Sequence, residues 1–283
     1  MRRVAKLGIS ACVFVWTAAL EVLARAVGKE TKGRCVVVYY HAVLPSERKR
    51  FARQLDVLRS HATPIAVDDD SNILPGRHCV AVTFDDGFEN FVTTALPELK
   101  ERHIPVTVFV ITQALGRAFG PVGGSERVMS ADQLKALPEK LVTIGSHTAT
   151  HPMLTQIPGE DSRREIVESR SQLEELLRRQ ITLFSFPFGD FNESLCHVCR
   201  EAGYRRIFTT LPLFALGKPD EFIVGRVRVD PTDWPLEFRL KLAGAYRWLP
   251  MAFRLKQSVL RTISGHERQL AKPESVVRDL ISR

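Results

Sequence analysis

Four short segments of this 283-residue chain combine residue types that bind metals and move protons. They are, in chain order, His41, the triplet Asp85-Asp86-Gly87, the pair His147 and His151, and the triplet Pro187-Phe188-Gly189. Two imidazoles and one carboxylate suffice to bind a catalytic divalent metal and leave a coordination position for water. Adjacent carboxylates on one strand point in different directions, so one can bind the metal while its neighbour faces the reacting water. This combination predicts metal-assisted hydrolysis.

Each of these segments directly follows a predicted β-strand. The strands are apolar runs at residues 35–40, 80–84, 142–146 and 181–186. Helical patterns separate the strands, which is typical of parallel βαβ units. The chain has no glycine-rich dinucleotide-binding turn, and about seven such units favour a barrel over a doubly wound sheet. We therefore predict an α/β fold, a (β/α) barrel of about seven strands, whose active site lies at the C-terminal ends of the strands.

Composition divides the chain into three parts. Residues 1–33 begin with basic residues and continue into an apolar run, which is typical of a signal peptide, or of a signal anchor if the run extends to Val27. Residues 34–235 carry the alternating strands and helices of the predicted barrel. Residues 236–283 are predicted to form a basic helical tail. The N-terminal segment predicts a membrane-anchored or exported protein.

The formal net charge of +8 is concentrated at the two ends of the chain. Residues 36–235 hold 23 Lys and Arg against 26 Asp and Glu, so the predicted barrel is mildly acidic. A nucleic-acid-binding domain usually carries its basic surface on the folded body, and nucleic acid is therefore not a predicted partner. Basic ends instead favour contact with anionic lipid, through the N-terminal segment and the C-terminal tail.

Four motifs resemble those of the polysaccharide deacetylase (NodB-homology) family, carbohydrate esterase family four. They are Thr83-Phe84-Asp85-Asp86-Gly87, the segment HTATHP at residues 147–152, the segment FSFPFG at residues 184–189, and the segment DPTDW at residues 230–234. The first two motifs are highly specific together, and the other two support them. The resemblance spans about residues 35–235. It implies a distorted (β/α) barrel and the metal-dependent hydrolysis of N-acetyl groups on an amino-sugar polymer.

The resemblance implies a role for each matching residue. Asp85 corresponds to the general base, and Asp86, His147 and His151 correspond to the metal ligands. The backbone N–H of Phe188 corresponds to the donor that stabilises the oxyanion. The ligand types favour Zn²⁺, with Co²⁺, Ni²⁺ or Fe²⁺ as alternatives.

Two positions depart from the family pattern. The family's Leu-x-His motif near the C terminus is not found, but His41 ends the first predicted strand, as in the branch that includes the poly-N-acetylglucosamine deacetylases. This resemblance predicts His41 as the general acid. Ser185 stands where many members have an arginine that orients the base. Arg226 or Arg228 is the predicted substitute for that arginine.

Three residues are predicted to contact the substrate: Pro187, Trp234, whose ring is suited to stacking on a sugar, and Arg226. A catalytically silent carbohydrate-binding relative is the alternative function, since Ser185 departs from the family. A cytoplasmic enzyme acting on a small or lipid-linked amino sugar is a further alternative, if residues 1–33 are neither signal nor anchor. Two histidines and one carboxylate also describe a non-haem iron site, but the barrel pattern argues against such a protein. The motifs do not identify the polymer.

Overall fold

The computed structural model describes residues 3–30, 33–69, 73–120, 126–218, 220–253 and 255. The strands are β1 (Arg34–Tyr40), β2 (Thr63–Pro64), β3 (His78–Phe84), β4 (Val106–Val110), β5 (Ala118–Phe119), β6 (Glu126–Arg127), β7 (Val142–Ser146), β8 (Leu183–Ser185), β9 (Arg206–Phe208), β10 (Ile223–Val224) and β11 (Val227–Arg228). The helices are α1 (Arg3–Ala26), α2 (Arg48–His61), α3 (Leu96–Glu101), α4 (Ala131–Lys135), α5 (Gly159–Leu177), α6 (Glu193–Glu201) and α7 (Pro235–Leu242), and a π-helical turn (Phe91–Ala95) precedes α3.

The main sheet is parallel throughout and curves back on itself. Its strand order is β10-β9-β8-β7-β4-β3-β1-β11, and β2 pairs with β3 outside this path. Only Gly225 and Arg226 separate β10 from β11, although these strands lie at opposite ends of the order. The sheet must therefore bend until its two ends meet, which gives the distorted barrel predicted from the sequence. Strands β5 and β6 form a separate antiparallel hairpin.

The sequence pattern misplaces some strand bounds. The apolar pattern at residues 222–229 predicts one strand, but the structure has two short strands there, because the chain breaks its pairing where it passes from one end of the sheet to the other. The pattern at residues 63–67 also predicts a strand, of which only β2 forms in the structure. The main sheet thus has nine strands among the described residues, of which β2, β10 and β11 contain two residues each.

Apolar side chains fill both sides of the curved sheet. Val36 and Val38 of β1 belong to the larger core, which includes Phe51 of α2. Alternate positions of the strands face the barrel interior, as their period of two requires. There the rings of Phe109 on β4 and Phe208 on β9 lie with centroids 4.9 Å apart, although two strands separate them in the sheet order. The barrel is thus packed inside and leaves its polar residues to the strand ends.

Helix α1 coincides with the predicted apolar segment. Of the helices that the structure describes, it is the one long and apolar enough to cross a membrane. Polar contacts tie it to the C-terminal part of the barrel: Arg3 pairs with Glu237 at 2.6 Å, and the indole N–H of Trp248 donates to Ser10 Oγ at 2.9 Å. Most of its apolar side chains are exposed, among them Val4, Val15, Trp16, Val22 and Leu23.

The predicted tail at residues 236–283 begins within α7. The side chains of Phe238, Leu240 and Leu242 are buried in the main core, so this helix packs on the barrel. Residues 256–283 lie outside the described part of the chain.

Candidate active site

The chemistry-bearing residues lie where four parallel strands end. His41 follows β1, Asp85 and Asp86 follow β3, and His147 follows β7. The 3₁₀ turn Pro187–Gly189 follows β8 after one residue. Because β1, β3, β7 and β8 belong to one parallel sheet, their C-terminal ends share one edge. Residues that are more than 140 positions apart in the sequence are thereby brought to one end of the barrel.

Unusual backbone conformations cluster at this edge. Asp86, Thr148, His151 and Phe188 have φ angles of 68°, 66°, 65° and 59°, in the left-handed region that non-glycine residues rarely adopt. Each such residue costs on the order of 1–3 kcal/mol, and such strain persists where the surrounding structure holds it. The surrounding structure therefore holds these side chains in place at the cost of local backbone strain.

Asp86, His147 and His151 form a compact group of metal-ligand atoms. Their ligand atoms all lie within 4.8 Å of one another, and both Nε2 atoms lie 3.5 Å from Asp86 Oδ1. Asp86 Oδ1 is buried and has no hydrogen-bond partner. The ring of His147 is fixed by a 2.8 Å hydrogen bond between Nδ1 and the carbonyl of Ser185, which leaves the Nε2 lone pair free to bind a cation. The three residues therefore fit a divalent metal ion.

The protonation states also suit a cation site. Burial lowers the pKa of His147 to about 3 and that of His151 to about 4, so both imidazoles are neutral at neutral pH. Burial and the charge of Asp85 raise the pKa of Asp86 to about 7. With no cation bound, Asp86 is therefore close to half protonated at neutral pH.

We expect metal binding to depend on pH through Asp86. Since a cation binds the carboxylate form, the Asp86 proton must leave, and this carboxyl alone makes affinity about tenfold weaker at pH 6 than at pH 8. The stability of the metal-free protein depends on pH in the opposite direction from metal affinity. Because the pKa of Asp86 is raised, its contribution to stability is present at low pH and is lost as pH rises through about 7. Calorimetric Zn²⁺ titration should therefore show proton release near pH 6. An affinity that is the same at pH 6 and pH 8 would contradict this expectation.

Asp85 is not one of these three ligands and is held by an arginine. The Arg226 guanidinium donates to both oxygens of the Asp85 carboxylate, at 2.7 and 2.9 Å. It also donates to Ser185 Oγ at 2.7 Å, to Thr83 Oγ1 at 3.1 Å and to the Thr209 carbonyl at 3.3 Å. Burial raises the pKa of Asp85, but the charge and hydrogen bonds of Arg226, together with the electrostatic effects of His147 and His41, more than offset this, and the pKa lies below its ordinary value. Asp85 is therefore an ionised, oriented carboxylate next to the metal ligands.

The structure places Arg226, and not Arg228, against the carboxylate of Asp85. Arg228 is exposed, whereas Arg226 is 0% exposed. The small side chain of Ser185 lies against Arg226, and its hydroxyl oxygen accepts a hydrogen bond from the guanidinium. Position 185 on β8 thus holds a serine, and the arginine beside Asp85 comes instead from the segment between β10 and β11. The substrate contact predicted for Arg226 stays a prediction; its guanidinium is fully buried and donates to the carboxylate of Asp85.

The remaining predicted residues surround the same edge. His41 is partly buried, and burial lowers its pKa while the charge of Asp85 opposes the shift. Phe188 is 60% exposed, and its ring stands edge-on to that of His151 at 4.7 Å. Pro187 is buried at the start of the turn. Trp234 is 45% exposed, and the Arg3 guanidinium lies 4.6 Å from the centre of its ring.

Glu165 on α5 is a supporting residue that sequence reasoning missed. Its carboxylate accepts hydrogen bonds from the backbone N–H groups of Ala149 and Thr150, at 2.9 and 2.8 Å, and from the Thr150 hydroxyl at 2.6 Å. The Thr148 hydroxyl in turn accepts from the N–H of His151 at 2.9 Å. These bonds fix the strained loop that carries both histidines. No sequence signal distinguishes Glu165 from the other acidic residues of its charged helix.

Comparisons with known proteins agree with this arrangement. Residues 74–207 match the family model described as polysaccharide deacetylase. The Bacillus subtilis protein YxkH, which is named after the same family, is 24% identical over 213 residues, 71% of this chain and 74% of its own.

Solved structures show the same fold. IcaB from Ammonifex degensii is 29% identical and superposes with a TM-score of 0.64 over 75% of this chain and 98% of its own. The deacetylase PplD from Streptococcus pyogenes, solved in complex with acetate, is 21% identical, with a TM-score of 0.60 over 75% of this chain and 99% of its own. The resemblance predicted from the four motifs is thus confirmed: residues 74–207, just under half of the chain, match the polysaccharide deacetylase family, and this resemblance indicates a hydrolase that acts on carbon–nitrogen bonds.

Proposed function

We propose that this protein removes N-acetyl groups from an amino-sugar polymer with the help of a divalent metal ion, Zn²⁺ being the first choice. The observation that carries the proposal is the pairing of two neighbouring carboxylates with different surroundings. Asp86 has a buried, unpartnered oxygen beside two neutral imidazoles. Asp85 is kept ionised by Arg226. Such a separation of roles is typical of a metal ligand next to a general base.

In this proposal Asp86, His147 and His151 would hold the cation, which would supply polarisation of the acetamide carbonyl and a lowered pKa of bound water. Asp85 accepts the proton of the attacking water. The two bonds from Arg226 fix its carboxylate so that this acceptor needs no reorientation during the reaction.

His41 and Phe188 act on the other reacting groups. His41 donates a proton to the leaving amine; its lowered pKa makes the imidazolium a stronger acid, present as the minority form at neutral pH. The backbone N–H of Phe188, held in its left-handed conformation, donates to the oxyanion. Rates should therefore fall as the pH rises above neutral.

The apolar helix α1 supports a location at or beyond the membrane. It has the length and composition of a membrane-spanning or signal segment, and basic residues precede its apolar part. We propose that α1 stays packed on the barrel through Arg3 and Ser10 and holds the protein at the membrane surface with its exposed apolar side chains. The polymer is then met outside the cytoplasm.

The test of this function is the stoichiometry of the products. Full-length protein in detergent, loaded with Zn²⁺ and incubated with N-acetylglucosamine oligomers, should release acetate and expose free amines in equal amounts. Acetate release from an O-acetylated glycan, with none from the N-acetylglucosamine oligomers, would indicate an ester substrate and would contradict N-deacetylation. Bound oligomer with neither product would favour the silent carbohydrate-binding relative instead.

A further inference from the structure

A cavity of about 500 Å³ opens beside the candidate active site. The first turn of α1 forms one wall, and the ends of β1 and β11 form another. Apolar groups, among them Leu211, Leu249 and Phe253, line much of the remainder. The metal ligands are not among its lining residues, so it is a separate compartment of the same end of the barrel.

The carboxylates that line this cavity are already engaged. Asp233 and Glu237 accept salt bridges from Lys241 at 2.7 and 3.2 Å, and Glu237 also pairs with Arg3 at 2.6 Å. Asp230 accepts two hydrogen bonds from Thr232, one from its backbone N–H at 2.8 Å and one from its hydroxyl at 2.5 Å. The charges of Asp233 and Glu237 are thus compensated by ion pairs, whereas Asp230 forms none of those pairs. Burial raises the pKa of Asp230, but the Thr232 hydrogen bonds and the charges of Arg228 and Lys241 lower it below its ordinary value. Four lining cations face three carboxylates, so the cavity keeps a net positive charge.

Three donors that line the cavity are not engaged. Within the described part of the chain, the Lys6 ammonium and the Arg228 guanidinium form no ion pair, and the Tyr39 hydroxyl forms no hydrogen bond. Tyr39 is nine-tenths buried, at 7% exposed, so its hydroxyl has little access to water other than through the cavity. Two free cations and one free hydroxyl facing a single space form a site for an anion.

Tyr39 connects this space to the reacting groups. Its ring centroid lies 5.6 Å from that of His41, and the Arg226 guanidinium lies 4.6 Å from its ring. Arg226 in turn holds Asp85. Arg228 also acts electrostatically on His41. A group bound in the cavity is therefore about one side chain away from the proposed acid and base.

We propose that this cavity binds an acidic substituent of the glycan, a carboxylate or a phosphate ester, on a sugar next to the residue being deacetylated. Lys6 and Arg228 pair with its charge and the Tyr39 hydroxyl donates to it, while the apolar wall faces the sugar ring. The substrate class is thus an anionic amino-sugar polymer. This inference rests on the proposed function, and it gives α1 a part in substrate selection, since Lys6 lies on that helix.

The test compares two tetrasaccharides on the full-length Zn²⁺ enzyme. One is neutral N-acetylglucosamine tetramer, and the other alternates N-acetylglucosamine with glucuronic acid. We expect a KM at least tenfold lower for the acidic oligomer. Lys6→Gln and Arg228→Gln should each raise that KM about tenfold and raise the KM for the neutral oligomer much less. Lys135→Gln and Arg50→Gln, exposed cations on α4 and α2, serve as matched controls.

Equal KM values for the two oligomers, or equal losses on both in the variants, would overturn the inference and leave the deacetylase function standing. Oligomer binding to the Asp85→Asn protein, measured without turnover, identifies the opposite case, in which the inference holds and the proposed reaction fails. If no oligomer is hydrolysed but the acidic one binds, and Lys6→Gln weakens it tenfold, the inference holds and the proposed reaction fails. If the variants weaken only binding to anionic phospholipid vesicles, the cavity serves lipid and the inference is overturned.

Discussion

Asp85→Asn is expected to abolish turnover and to leave the metal in place. The amide cannot accept the proton of water, and a general base typically contributes about 10²–10⁴-fold to the rate. The three metal ligands are other residues, so one equivalent of Zn²⁺ should remain bound. Acetate release and metal content, measured on the same sample, report the two effects separately.

His147→Ala is the contrasting variant. It removes one of three ligands, together with the bond to the Ser185 carbonyl that orients it, so both metal and turnover should be lost. Asp132→Asn and His197→Ala, which change exposed residues on α4 and α6, control for the substitutions themselves. A rate within twofold of the unaltered protein for Asp85→Asn would refute the assignment of Asp85 as base.

Arg226→Met is expected to harm both stability and activity. It leaves the Asp85 carboxylate buried without its counter-ion, and breaking a buried ion pair in this way costs about 3–5 kcal/mol of unfolding free energy. With the arginine gone, burial raises the pKa of Asp85, so the base becomes partly protonated and the acidic limb of the pH–rate profile should move to higher pH. Urea unfolding and the pH profile of kcat/KM measure these two effects.

The pH dependence of stability gives a further readout of the same pair. In the unaltered protein the pKa of Asp85 is below its ordinary value of 3.8. Its contribution to stability is therefore present above about pH 4 and is lost as pH falls through the lower pKa. In Arg226→Met the dependence should reverse, with stability lost as pH rises.

Two further variants separate orientation from charge at Arg226. Arg226→Lys keeps the charge but not the two parallel hydrogen bonds, so it should retain most stability and still lower kcat. Adding Asp85→Asn to Arg226→Met removes the unpaired charge, and stability should recover while activity does not. An Arg226→Met protein with unchanged stability and an unchanged pH profile would show that Arg226 does not hold Asp85.

The positions of His41, Asp85, Asp86 and His147 at strand ends were predictable. Each follows a run of apolar residues long enough to be a strand, and parallel strands bring their C-terminal ends together. The residues that follow these apolar runs also identify the chemical types of the ligands, imidazole and carboxylate. It contains no distances, and the strained backbone at Asp86 and its neighbours appears only in the folded chain.

The sequence predicts that either Arg226 or Arg228 pairs with Asp85, but it does not distinguish between them. Both lie in one apolar segment that looks like a continuous strand, and only the break between β10 and β11 turns Arg226 into the barrel. The support from Glu165 was not visible, because it joins a helix to a loop fifteen residues earlier. The cavity was equally hidden, since Lys6 reaches the barrel only when α1 packs against it.

Metal titration of acetate release tests the central claim most directly. Full-length protein is stripped of metal, and Zn²⁺ is added stepwise while acetate release from N-acetylglucosamine oligomers is followed. We predict no release without metal, a linear rise that ends at one Zn²⁺ per chain, and no rise in His147→Ala. Full activity in the stripped protein, or equal activity in His147→Ala, would contradict a metal-dependent deacetylase built on Asp86, His147 and His151.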